Sequence, residues 1–181
     1  MTERSAPWTS APDAPLQVSL VQVPRPVMGL LMEGDLTAAV AELGLPLADY
    51  AADEKMRGTW RRRYHQIADD PTSADWVTRA ALSGEVPIGA AGFHGPPDER
   101  GMVEVGYGVD PAHRRRGYAK AILAALIRQA EAEPEVTVVR ATISPDNEAS
   151  LATVAAFGFT HVGEQWDEED GLELIYELPL R

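Results

Sequence analysis

Seven stretches of the chain have the pattern of β-strands. Apolar and polar residues alternate from Leu16 to Val23, and a β-branched run from Val136 to Ile143 predicts a buried strand. Ser83-Gly84-Glu85 separates two of these stretches and predicts a hairpin, as does an acidic turn at 167–171. The predicted strands are 16–23, 76–82, 86–93, 102–109, 136–143, 159–166 and 172–178.

Helical periodicity occurs in four further stretches. Apolar residues at spacings of three and four, from Ala119 to Ala130, predict a helix packed on a sheet, which Pro134 ends. Asp146 or Asn147 can cap a later helix, because a short polar side chain accepts from the first free backbone N–H groups. The predicted helices are 35–43, 53–68, 117–133 and 147–157, with Gly44 and Gly158 at the left-handed position after two of them.

The order of these elements predicts one α/β domain of the mixed, α+β type, in which strands flank the helix that starts near Gly117. A length of 181 residues suits a single domain with a sizeable core. Residues 1–15 are rich in Pro, Ala, Ser and Thr and have no apolar period. We therefore interpret 1–15 as a mobile N-terminal leader and 16–181 as the folded domain.

Composition narrows the class of function. The chain has 16 Lys+Arg and 28 Asp+Glu, a net charge of −12, which argues against nucleic acid and anionic membranes as general partners. It has no cysteine, which excludes disulfides and thiolate chemistry, and its four histidines lack metal-site spacing. No apolar run approaches the ~20 residues of a membrane helix, and the first residues do not resemble a signal peptide. We expect a soluble cytoplasmic protein without a metal.

The segment that carries chemistry runs from Val109 to Ala119, where a strand ends, a loop follows and a helix begins at Gly117. Free backbone N–H groups and the helix dipole make such a junction an anion site. Three consecutive arginines, Arg114 to Arg116, reverse the charge locally. The alternative is a solvated loop with an ordinary turn glycine. Neither a Walker loop nor a GxGxxG fingerprint is present.

Arg114-x-x-Gly117-x-Ala119 resembles motif A of the GCN5-related N-acetyltransferases, the GNAT family. The run from Asn147 to Phe159, an Asn-led helix ending in Gly-Phe, resembles the second signature of that family. With the strand from Glu104 to Val109, the resemblance is closest to the ribosomal-protein alanine acetyltransferase-like (RimJ/RimL-type) branch. It implies a single GNAT-type domain with a mixed, mostly antiparallel sheet flanked by helices and a splayed central strand.

The resemblance also implies acetyl-CoA as co-substrate, with its pyrophosphate at motif A and its pantetheine arm in the gap beside the splayed strand. Val109 is the candidate whose backbone N–H contacts the thioester carbonyl, and the glycines of Val105-Gly-Tyr-Gly108 suit a strand that bends away from its neighbour. Asn147 resembles the asparagine that holds the pantetheine arm and can also cap its helix. The implied binding residues are Tyr107, Gly108, Val109, Arg114, Arg115, Arg116, Gly117, Tyr118, Ala119, Asn147 and Ser150.

Acyl transfer to an amine also needs a base and help for the leaving thiolate. Glu104 is the candidate base, directly or through water, and the alternative reading is an ordinary strand carboxylate. His94, at the end of the preceding strand, is its rival. Many relatives have a tyrosine acid seven residues after the asparagine, where this chain has Val154. The acid therefore stays open among Ser150, Tyr118 and water.

Two functions follow from these residues. The first is an acetyl-CoA-dependent N-acyltransferase that moves an acetyl group directly to a primary amine of a small molecule or peptide. The second is a catalytically silent acyl-CoA-binding or sensor module, which Val154 favours. A homodimer is possible. We interpret Arg61 to Arg63 and the acidic turn as solvated surface.

Overall fold

A computed structural model describes residues 4–180. Eight strands form one sheet in the order β1-β2-β3-β4-β5-β6-β8-β7. Among the strands of residues 4–180, only β5 and β6 are parallel, and every other neighbouring pair is antiparallel. The strands are β1 Trp8–Thr9, β2 Ser19–Gln22, β3 Arg79–Ser83, β4 Val86–Phe93, β5 Met102–Val109, β6 Val138–Ile143, β7 Thr160–Asp167 and β8 Gly171–Pro179. The mixed, mostly antiparallel sheet is confirmed.

In the described part of the chain, five α-helices flank the sheet: α1 Arg25–Glu33, α2 Leu36–Leu43, α3 Glu54–Asp69, α4 Tyr118–Ala132 and α5 Glu148–Ala155. The last four lie within about two residues of their predicted ends, because their caps are local signals. Asp35, Asp53 and Asn147 each accept from a backbone N–H of the first turn. Gly44 and Gly158 have the predicted positive φ.

Hydrophobic cores lie on both faces of the sheet. Helices α4 and α5 cover one face through a cluster that includes Leu123, Leu126 and Val154. Helices α1 to α3 cover the other through a cluster that includes Met28 and Trp60. Strand residues alternate between the two cores, as the two-residue period of a strand requires. Within residues 4–180, no helix has the length and apolar character needed to cross a membrane.

A short strand lies within the N-terminal segment for which we predict a leader. Trp8 and Thr9 pair with Leu20 and Ser19 as an edge strand, and only 8% of Trp8 is exposed. The guanidinium of buried Arg79 lies 3.7 Å from the Trp8 ring centroid. Part of the segment 1–15 thus pairs with the sheet and packs on its core, while the division into a mobile leader and a domain from residue 16 stays a prediction. Residues 1–3 of that segment lie outside the described residues.

Helix α1 is the one α-helix that the hydrophobic pattern does not predict. Pro24 and Pro26 end the first strand as expected, but Pro26 lies in the first turn of α1, where proline removes no helical hydrogen bond. Gly34 ends the helix with φ +83° and also precedes the Asp35 cap of α2. A strand stop and a helix start therefore share the same residues.

Candidate active site

Strands β5 and β6 form a fork. They pair at only three positions, Met102 with Val138, Val103 with Val139 and Glu104 with Arg140. Beyond Glu104, β5 pairs only with β4 and β6 only with β8. The splayed central strand is confirmed, and Glu104 stands where the two strands part.

The ladder between β4 and β5 fixes which backbone groups face this fork. The His94 N–H donates to the Glu104 carbonyl and the Asp110 N–H donates to the Ile88 carbonyl, both at 2.8 Å. Because antiparallel pairing alternates, even-numbered positions of β5 direct their backbone groups to β4. The odd-numbered positions direct theirs into the fork: Val105, Tyr107 and Val109. The Val109 carbonyl accepts from Arg114 Nε at 3.2 Å.

The loop after β5 has the geometry of an anion site. Arg115 has φ +60°, the one positive φ of a non-glycine residue among residues 4–180, and Gly117 has φ +87°. No backbone N–H from Arg114 to Lys120 donates to any other residue of the described chain, and Gly117 caps α4 without a side-chain bond. Consecutive N–H groups around left-handed residues form anion-binding concavities, and the dipole of α4 adds positive potential. A strained Arg115 here is typical of a functional loop.

The cations of this loop face solvent. Arg114, Arg115 and Arg116 are all exposed, as is Lys120 one turn into α4. Within residues 4–180, none of the three arginines forms an ion pair. Unpaired positive charge beside free N–H groups, on a chain of net charge −12, suits a polyanionic ligand.

Both candidate bases meet at the start of the fork. His94 Nδ1 lies 3.3 Å from Glu104 Oε1, with 46% and 20% of the two side chains exposed. The Thr142 hydroxyl, on β6, donates to the same oxygen at 2.5 Å. Burial raises the pKa of Glu104, but His94, Thr142 and Arg140 outweigh burial, so the pKa falls below its ordinary value. The carboxylate is therefore ionised and engaged at neutral pH.

The two glycines of β5 accommodate side chains from other elements. A Cβ at Gly106 would lie 2.9 Å from His94 Nε2, and a Cβ at Gly108 would lie 2.2 Å from the Tyr50 hydroxyl. The sequence suggests that these glycines allow β5 to bend away from its neighbour. The structure adds a steric reason, because a side chain at either position would collide with His94 or Tyr50. Tyr50, in a 3-10 turn between α2 and α3, was not predicted, because nothing in the sequence near it marks a site.

On the opposite face of the fork, helix α5 contributes two predicted residues. Asn147 Oδ1 accepts from the Ser150 N–H at 3.1 Å, which confirms the cap and leaves the side-chain NH2 without a partner in residues 4–180. Ser150 lies half-buried at the start of α5. Val154 is fully buried in the core that α4 shares, so position 154 supplies no polar group to the fork.

The arginine run on α3 is divided between two roles. Arg62 is exposed and pairs with Glu169 of the acidic turn at 2.9 Å, as expected of solvated surface. Arg63 is half-buried and donates to the backbone carbonyl of His94 at 3.2 Å. Burial, with the charge of Arg62, lowers the pKa of Arg63 to about 10, although Glu104 opposes the change. Arg63 therefore packs beside His94 and Glu104, the two candidate bases. The run of three arginines in the sequence does not indicate this contact.

Solved structures share this architecture. The ribosomal L7/L12 alpha-N-protein acetyltransferase RimL, solved with coenzyme A, matches with a TM-score of 0.64 and 15% identity over 93% of this chain and 97% of that one. RimJ from Mycobacterium smegmatis, in complex with CoA-disulfide, gives 0.64 and 15% over 98% and 87%. At these identities the likeness shows the fold alone.

Sequence comparisons reach the same family. A curated relative, the uncharacterized N-acetyltransferase YjdG of Bacillus subtilis (strain 168), is 38% identical over 72 residues, which cover 40% of this chain and 43% of the relative. The chain thus aligns with less than half the length of that relative. The family model of the acetyltransferase (GNAT) domain matches residues 6–160. With that match over most of the chain, on the forked sheet described above, this protein belongs to the GNAT acetyltransferase family.

Proposed function

We propose that this protein transfers the acetyl group of acetyl-CoA directly to a primary amine. The observation that carries the proposal is the loop from Arg114 to Lys120, with seven consecutive free N–H groups at the mouth of an open strand fork. An anion site and an unpaired strand edge side by side suit a ligand that has both a pyrophosphate and an amide-containing arm.

The site residues fit such a ligand. The loop N–H groups and the arginines would hold the phosphates, and the small side chain of Ala119 keeps the first turn of α4 open. The free edge of β5 would pair with the pantetheine amides, and the Asn147 side-chain NH2 is free to donate to the same arm. The proposed contacts are Tyr107, Gly108, Val109, Arg114, Arg115, Arg116, Gly117, Tyr118, Ala119, Asn147 and Ser150.

In the proposed reaction, the acceptor amine reaches the fork from the face that carries Tyr50 and His94. His94 takes the amine proton at Nε2, and Glu104 holds the opposite ring nitrogen and stabilises the imidazolium. The Val109 N–H donates to the carbonyl oxygen as it gains charge. The bases predicted as rivals thus act as a pair. Glu104 positions His94, because its lowered pKa makes it a weak proton acceptor.

The class of acceptor is a primary amine of a peptide or small molecule. RimL is named as an alpha-N-protein acetyltransferase, so a peptide N-terminus heads the panel to be tested. Amino acids, polyamines and aminoglycoside-like amines complete it, since the negative charge of the chain favours the approach of cations.

The experiment is a mass-spectrometric assay of this amine panel with acetyl-CoA, run beside calorimetric titration of CoA. We expect an acetylated product with wild-type protein and loss of product, but not of CoA binding, in His94→Gln. Glu131→Gln, an exposed change near the C-terminal end of α4, is the control and should match wild type. CoA binding without any acetylated amine would favour the silent sensor module. Absence of CoA binding would refute both functions.

A further inference from the structure

The hydroxyl of Tyr107 is a buried polar group that the proposed reaction does not yet use. It forms no hydrogen bond within the described residues, although it is shielded from solvent. Leaving such a group without a partner destabilises the folded state, because the desolvation of the hydroxyl is not repaid. A buried phenol is therefore retained against a cost that phenylalanine at the same position would avoid.

Tyr107 lies on the part of β5 that forms one side of the fork. Its backbone lies on β5, three residues beyond the last pair with β6, and its N–H faces the open edge. Its ring packs on the core below α4 and α5, and its hydroxyl lies beside the side chains of Ser150 and Thr153 on α5. The Thr153 hydroxyl already donates to the Ala149 carbonyl at 2.8 Å. The phenol thus lies between β5 and α5, where the fork opens.

We propose that the Tyr107 hydroxyl donates a hydrogen bond to the CoA sulfur as it becomes a thiolate, in place of the phenol that Val154 cannot supply. The inference rests on the proposed acetyl transfer. The neutral amine attacks the thioester carbon, the C–N bond forms, and the amine proton passes to His94. The C–S bond then breaks, and its electron pair stays on sulfur, facing the Tyr107 O–H.

The phenol stabilises charge and does not give up its proton. Burial raises the pKa of Tyr107 above its ordinary value, against the weaker effect of the Ser150 and Thr153 hydroxyls. An unperturbed cysteine thiol has a pKa of ~8.5 and an unperturbed tyrosine one of ~10, so a thiolate is a weaker base than this phenolate. The O–H therefore remains intact and donates a charge-assisted hydrogen bond. His94 releases the amine proton to solvent. The CoA thiolate takes a proton from solvent and leaves as the thiol.

The test is the pKa of the CoA thiol when bound, followed by the ultraviolet absorbance of the thiolate during a pH titration. A hydrogen bond to a charged group should lower this pKa by about one to two pH units relative to Tyr107→Phe. Tyr176→Phe makes the same chemical change on β8, outside the fork, and should behave as wild type. With a confirmed acceptor, Tyr107→Phe should also lower kcat about 10- to 100-fold with little change in the KM for acetyl-CoA.

The outcomes separate this inference from the proposed function. If wild-type protein binds no CoA, the proposed function fails. If CoA binds and the bound thiol has the same pKa in wild type and Tyr107→Phe, the hydroxyl is structural and the inference is overturned. In that structural case, Tyr107→Phe would raise Tm and leave turnover unchanged. The inference instead requires weakened thiolate stabilisation in a variant at least as stable as wild type.

Discussion

Replacing Glu104 by Gln tests how the two candidate bases divide their work. The substitution keeps the size of the side chain and a hydrogen-bonding group for the Thr142 hydroxyl, but it removes the charge 3.3 Å from His94 Nδ1. During proton transfer, His94 becomes an imidazolium. The missing negative charge at position 104 therefore matters most in the transition state, when His94 carries a positive charge. We therefore expect the transition state to lose more stabilisation than the ground state.

The size of the effect follows from the contact. Two unit charges at 3.3 Å attract by about 5 kcal/mol at an effective dielectric of ~20, which is an upper bound because 46% of the His94 side chain is exposed. A hydrogen bond to a charged group contributes about 1.5–3 kcal/mol. We expect kcat to fall about 10- to 150-fold in Glu104→Gln, with CoA affinity within a few-fold of wild type.

The double variant gives the decisive comparison, measured as steady-state turnover with one confirmed acceptor. If Glu104 acts through His94, Glu104→Gln adds almost nothing in a His94→Gln background, because the partner of the carboxylate is already gone. A further loss of 10-fold or more in that background would show that Glu104 takes the proton itself. Unchanged turnover in both single variants would leave water as the base and refute the paired arrangement.

Three further outcomes follow from the same contacts. Arg115→Gly should fold at least as well as wild type by Tm, since glycine adopts φ +60° freely, while CoA affinity measured by calorimetry falls; unchanged affinity would remove the loop from the site. Gly108→Ala should displace the Tyr50 hydroxyl by more than 1 Å and lower turnover about 100-fold, and adding Tyr50→Phe should restore part of the turnover. An equal loss of turnover in the double variant would contradict a collision between Tyr50 and the methyl group added at position 108. Because the pKa of Glu104 is depressed in the folded state, its contribution to stability is present above pH ~4.5 and lost as the pH falls further. The difference in Tm between wild type and Glu104→Gln should therefore narrow in acid, and a difference that widens would contradict a depressed pKa.

The parts of the fold that local signals determine could be predicted from the sequence. The apolar stripe of α4 and the Asp and Asn caps of α2, α3 and α5 involve residues within a few positions of one another. The same holds for the loop before α4, whose glycine and arginines predict an anion site without knowledge of the rest of the chain. Motif A can therefore be identified from the sequence.

Features that depend on distant pairing could not be predicted. Trp8 is ordered because it meets Leu20 and Arg79, and the segment 1–15 itself contains no apolar period to reveal this. Tyr50 reaches Gly108 only once α1 to α3 are placed on the sheet. The approach of His94 to Glu104 depends on the β4–β5 register. The local sequence allowed two rival bases, and only the register brings them together.

The proposal that CoA binds at the loop before α4 is tested most directly by calorimetric titration of CoA into the folded protein, at low and high salt, with pantetheine as the uncharged comparison. We predict binding of CoA that weakens steeply with salt, weak and salt-independent binding of pantetheine, and a Tm raised by about 5–11 °C at 100-fold excess over Kd. Equal salt dependence of the two ligands, or no binding of CoA at millimolar concentration, would contradict the assignment.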